Sequence, residues 1–200
     1  MAIVSAATFL LVILTQRISL SNQLIMREFV GVSHLGGLAR LVVQIGSVTI
    51  ILQLLGFLLL LWRLLPIFDL GQAAWHALFL SISAFNNAGF TILPDSDSLA
   101  RFQRETWVLG IVGLLIILGG ISYSVMADVV LHRRFKRFAL DTRLVLVVSV
   151  ILWLLGSGVI FLSEFNNEAT LKALPMADRA TNSLFMSVSP RTAGFTTIDL

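Results

Sequence analysis

The sequence predicts an all-α integral membrane protein built on a repeated unit of outer helix, short re-entrant helix with its loop, and inner helix. Three observations carry that prediction. Of 200 residues, 57% are hydrophobic and 12% charged, with a mean hydropathy of +0.93, well away from a soluble domain. Charges are absent from three long windows, 41–62, 106–127 and 144–163. At about 1.5 Å of rise per residue, helices of that length cover the roughly 30 Å hydrocarbon layer. Two shorter apolar stretches, Gln72 to Phe85 and Asp178 to Ser189, also repeat one another in sequence.

The elements follow in order. Residues 1–15 are apolar but short of a full span, with no basic leader and no small-residue cleavage site before Arg17. They read as the end of an inner helix rather than a signal peptide. Residues 16–40 form a linker with Arg17, Arg27 and Arg40. Residues 41–131 make a complete unit: helix 41–62, re-entrant helix and loop 72–90, and helix 106–128. A basic loop at 132–143 carries Arg133, Arg134, Lys136, Arg137 and Arg143. Residues 144–200 begin a second unit, with helix 144–163 and re-entrant helix and loop 178–196.

Lys and Arg collect in short cytoplasmic loops, so the linker and the basic loop face the cytoplasm. The other connections mix signs: Arg63, Arg101 and Arg104 stand against Asp69, Asp95, Asp97 and Glu105. They face outward, with Trp62, Trp75 and Trp107 at the boundary, as interfacial aromatics should be. The basic run is read as an orientation signal in preference to nucleic-acid or anionic-lipid binding, and no nucleic-acid partner is expected. With no cysteine in the chain, disulfides and thiolate metal sites are excluded.

The two short stretches form helices of about 20 Å, which enter the membrane and must turn back. Irregular backbone at that depth is tolerated where it lines a wet cavity or is buried in protein. Leu78, Phe79, Ser81, Ile82 and Ser83 match Leu184, Phe185, Ser187, Val188 and Ser189 at an offset of 106, and Ala88 to Thr91 match Ala193 to Thr196 at an offset of 105. Internal repeats of this kind are the usual construction of transporters and channels.

A dehydrated cation needs several oxygen ligands at short range, which converging backbone carbonyls provide without charged side chains. Gly89 and Gly194 supply the backbone freedom such a loop needs. The candidate donors are the carbonyls of Asn86, Asn87, Ala88 and Gly89, and of Thr192, Ala193 and Gly194. The partly negative C-terminal ends of the helices before them favour a cation there. Phe90, Arg191 and Phe195 are read as loop supports, with Arg191 braced behind its loop by Asp199 or, alternatively, repelling a second cation. Gly119 and Gly120 are read as a close helix-packing pair, and Asp128 as a helix-end acid at the water boundary. No acidic pair, Ser-His-Asp set or HExxH motif lies in the spans, so an enzyme is not expected. No cofactor or resident metal is expected either.

The strings SISAFNNAGF at 81–90 and SVSPRTAGFTTIDL at 187–200 closely resemble the second and third filter loops of the Trk/Ktr/HKT superfamily of potassium and sodium transporters, the KtrB-like branch being nearest. ISLSNQLIMREF and GGLARLV at 18–42, and LGGISYSV at 118–125, resemble that branch's linker and inner-helix glycine pair. The resemblance implies a four-repeat pore in a bacterial cell membrane, of which this chain is a fragment that does not conduct alone. It further implies K+ or Na+ as the transported ion, a homodimer, and a cytosolic nucleotide-binding regulatory partner. Filter glycines are associated with potassium in that family. Ser122, Tyr123 and Ser124 depart from the Gly-Phe-Pro expected after the glycine pair, and Pro190 stands where a small or hydroxyl residue is commoner. The competing reading is a secondary carrier with discontinuous helices binding a small solute.

Overall fold

The computed structural model describes residues 38–93, 98–167 and 170–198, with side chains from Val43 onward. The expected helix end at 1–15, most of the linker, and Asp199 lie outside the described residues. Six α-helices are described: α1 Leu38–Leu64, α2 Leu70–Phe85, α3 Thr106–Gly120, α4 Tyr123–His132, α5 Leu140–Glu164 and α6 Met176–Val188. Short 3-10 turns at Ala100–Phe102 and Phe135–Arg137 complete them.

Two of these helices, α1 and α5, are long and apolar enough to cross a membrane. Each runs past its charge-free window. The first turn of α5 holds Asp141 and Arg143, whose guanidinium turns back to donate to the Phe138 carbonyl at 2.9 Å. A helix needs an apolar run only where it meets hydrocarbon, so its ends extend into the polar boundary.

The expected single span at 106–128 is replaced by two helices. α3 ends at Gly120 and α4 begins at Tyr123, turned by 101°. Ile121 is extended, and Ser122 caps α4 by accepting from the Val125 N–H at 3.4 Å. The departure from the family pattern thus has a local consequence: a hydroxyl at the start of α4 satisfies one of the N–H groups freed by the break.

α1, α2 and α3 pack on one another, α5 packs on α6, and α3 against α6 forms the seam between these groups. The main core lies around α2, with Leu60, Leu64, Ala73, Ala77, Phe85, Phe102 and Val112 all buried. At the C-terminal end of α1, the Arg63 guanidinium meets Glu105, just before α3, at 2.7 Å.

Candidate functional site

Two short helices end in loops that meet beside the α3 break. α2 is 16 residues long and α6 is 13, about 24 and 20 Å, both short of a span. A repeated serine stands near each end, Ser83 in the last turn of α2 and Ser189 as the C-cap of α6. After α2, the Ala88 N–H donates to the Ser83 carbonyl at 2.9 Å, and the Ser83 hydroxyl donates to the Phe90 carbonyl at 2.7 Å. After α6, the Ala193 N–H donates to the Ser189 carbonyl at 2.8 Å, and the Ser189 hydroxyl donates to the Phe195 carbonyl at 2.7 Å. Each serine pins the far end of its own loop.

Between those pins the backbone turns left-handed. Gly89 has φ +74° and Gly194 φ +82°, a region costly for residues with a Cβ. Asn87 also has positive φ, at +53°, and asparagine is among the few other residues that tolerate it. Among the described residues, the carbonyls of Asn86, Asn87, Ala88 and Gly89 and of Thr192, Ala193 and Gly194 accept no hydrogen bond, whereas those of Phe90 and Phe195 are held by serine. Ala88, Thr192 and Gly194 are exposed and Asn86, Asn87 and Gly89 half-buried, so these oxygens are open to water or to a cation.

The loops also touch. The Thr192 hydroxyl donates to the Asn87 side-chain oxygen at 2.9 Å, and a Cβ on Gly89 would fall 2.0 Å from the Ala193 carbonyl oxygen. Gly119 lies under the end of α2, where a Cβ would fall 1.7 Å from the Phe85 carbonyl oxygen. A Cβ on Gly120 would lie 3.9 Å from the Asn87 amide nitrogen and 4.0 Å from the Thr192 hydroxyl oxygen. The glycine pair therefore brings α3 against α2 and then faces both loops just before the chain bends.

Two contacts fix their position along the long helices beside them. Ser187 donates to the Trp153 carbonyl of α5 at 2.8 Å, and Arg191 donates to the Ser149 hydroxyl at 3.1 Å. Counted back from Glu164, Ser149 is about 22 Å along α5, and Gly119 is about 20 Å along α3 from Thr106. Arg191 is thus braced by Ser149, a partner the sequence reading did not name. No acidic residue lies in 86–90 or 192–195, and the α2 and α6 C-termini direct their negative dipole ends at the loops.

Phe90 and Phe195 differ: Phe195 is fully buried in the main core while Phe90 is 69% exposed. Sequence reasoning treated Ser83 and Ser189 only as repeat matches. Their recurrence shortly before Ala-Gly-Phe, five residues ahead in one loop and four in the other, was the available signal for their bonding role. The segment after the second loop is stitched to the stretch before α3: the Leu99 N–H donates to the Thr196 carbonyl at 2.9 Å and Gln103 Nε2 to the Thr197 carbonyl, while Asn182 of α6 donates to the Gln103 carbonyl at 2.7 Å.

Residues 1–200 match the TrkH family, described as cation transport protein. The chain is 35% identical over 193 residues to the Ktr system potassium uptake protein B of Bacillus subtilis, covering 96% of this chain and 43% of that protein. It is 32% identical over 184 residues to the potassium/sodium uptake protein NtpJ of Enterococcus hirae, covering 92% and 40%. The Ktr system potassium uptake protein B of Vibrio alginolyticus is 34% identical over 186 residues, covering 92% and 40%. The chain spans about two fifths of the length of these relatives.

Proposed function

The chain belongs to the TrkH family of cation transport proteins, and from that premise we propose that it lines part of the ion path of a monovalent-cation uptake protein. The ion, potassium or alternatively sodium, passes the carbonyls of residues 86–89 and 192–194, which stand in for its hydration shell. Residues 41–131 and the stretch from 144 act as successive units around that path. The observation that carries this reading is the pairing of two serine-pinned, left-handed loops, with unoccupied carbonyls, roughly 20 Å along the helices beside them. The reading places both loops inside the bilayer, entered from the outward side, with Arg191 turned away to Ser149.

Gly89 and Gly194 favour potassium in this proposal. A second copy of the membrane chain and a separate cytosolic nucleotide-binding subunit complete the assembly; relatives named as parts of a Ktr system are in keeping with a separate subunit. In a full-length protein containing this segment, expressed in a potassium-uptake-deficient strain, Gly89→Ser is expected to weaken growth at low potassium. Unchanged potassium affinity and selectivity would count against the assignment. The break at Ile121 and Ser122 is the feature that a carrier with discontinuous helices would share, and the topology of residues 72–90 separates the two readings.

A further inference from the structure

The α3–α4 bend leaves a basic and apolar elbow whose chemistry the ion path does not use. Ile121 shares a cleft with Val145 and Ser149, and the Asp128 carboxylate at the other end of α4 accepts from the Ala139 N–H at 2.9 Å. α4 therefore runs alongside the first turns of α5, within roughly 14 Å of that helix's start. The bend turns it by 101° from α3 and leaves its C-terminal end and the loop after it at the start of α5.

This elbow is held in shape from within. Asp128 also meets His132 Nδ1 at 2.6 Å. Arg143 donates to the carbonyls of Phe138 and Lys136. These bonds occupy Asp128 and Arg143 and leave Arg133, Arg134, Lys136 and Arg137 exposed. Among the described residues none of those four is paired with an acidic side chain. Interleaved with them are exposed apolar side chains: Val130 at 63%, Leu131 at 76%, Phe135 at 51% and Leu140 at 73%.

We propose that α4 and the 133–140 loop form an interfacial seat for anionic phospholipid. Leu131, Phe135 and Leu140 enter the acyl boundary while Arg133, Arg134, Lys136 and Arg137 hold headgroup phosphates. Two features select this occupant. Guanidinium groups match phosphate oxygens with paired hydrogen bonds, and basic residues clustered beside the end of a spanning helix, interleaved with exposed apolar ones, are what anionic leaflets attract. The seat depends on membrane insertion and is independent of the carbonyl path, so each can fail alone.

The test uses the full chain purified in neutral detergent, where insertion orientation no longer matters. Bound phosphatidylglycerol and phosphatidylcholine are counted by native mass spectrometry at low and high salt. Each basic residue near an anionic surface is worth about fivefold in binding. Arg134→Gln with Lys136→Gln is therefore expected to cut phosphatidylglycerol retention by about 25-fold and leave phosphatidylcholine unchanged. Leu131→Ser with Phe135→Ser should weaken both lipids alike, and salt should erode the difference between them. Equal retention of the two lipids by the unaltered chain would overturn the proposal. So would a phosphatidylglycerol preference that survives the change of all four basic residues to Gln, or a preference shown only for an added polyanion such as RNA.

Discussion

The loop after α2 and the loop after α6 share a hydrogen-bonding plan but not their supports. In the first, Ser83 works twice, donating to the Phe90 carbonyl and accepting from the Phe90 N–H at 3.1 Å, while the Phe90 ring stands exposed. In the second, Ser189 makes the one pin to the Phe195 carbonyl, and the Phe195 ring is sunk in the core. Gly89 is confined by the Ala193 carbonyl as well as by its own φ, whereas a Cβ on Gly194 would meet nothing within 4 Å. Repetition has kept the backbone geometry at both sites and distributed its anchorage differently: polar and steric in the first loop, apolar and basic in the second.

That contrast can be broken at the aromatic pair first. Phe195→Ala should destabilise the chain by about 3–5 kcal/mol, as for other buried aromatics. Phe90→Ala, at an exposed site, should stay within about 0.5 kcal/mol. Denaturant-induced loss of helical signal in detergent compares them, and similar losses at both positions would erase the distinction.

The glycines sharpen it next. Gly194→Ala should cost about 1–2 kcal/mol, the penalty for a Cβ in a left-handed conformation. Gly89→Ala carries the same penalty plus an overpacking cost of about 1–3 kcal/mol against the Ala193 backbone. Ion uptake by a full-length protein carrying each change should fall further for Gly89 than for Gly194.

The serine pins test the contrast at the level of single hydrogen bonds. Ser83→Ala and Ser189→Ala each strand a loop carbonyl, at about 1–3 kcal/mol when it is buried. Ser83→Ala also frees the Phe90 N–H, so its loss should be the larger, read as faster amide hydrogen exchange at Phe90 than Ser189→Ala gives at Phe195.

Much of this was legible in the residues. Charge-free windows located α1 and α5 because hydrophobic length is the physical requirement for a span. The matched Ala-Gly-Phe strings located both left-handed turns, since the repeat exposes the glycines together. Pro190 stands two residues beyond the end of α6 at Val188, in keeping with a residue that halts helix. The bend after Gly120 was hidden because hydropathy runs unbroken through it: a window without charges reports length and says nothing of direction. Helix starts were also placed two residues late, at Gln72 and Asp178 rather than at Leu70 and Met176. The Arg191 brace was visible as a charge needing a partner, but a hydroxyl on α5 forty-two residues away leaves no local signature.

The carbonyl path is tested most directly by cysteine labelling, since the native chain has no cysteine. Single cysteines at Gln72, Phe90 and Thr192 of a full-length protein would be exposed to a membrane-impermeant thiol reagent from the outward side. The account predicts that Gln72 and Phe90 both react from that side and that potassium slows labelling at Thr192. Reaction of Gln72 and Phe90 from opposite sides, or labelling at Thr192 that ignores potassium, would contradict it.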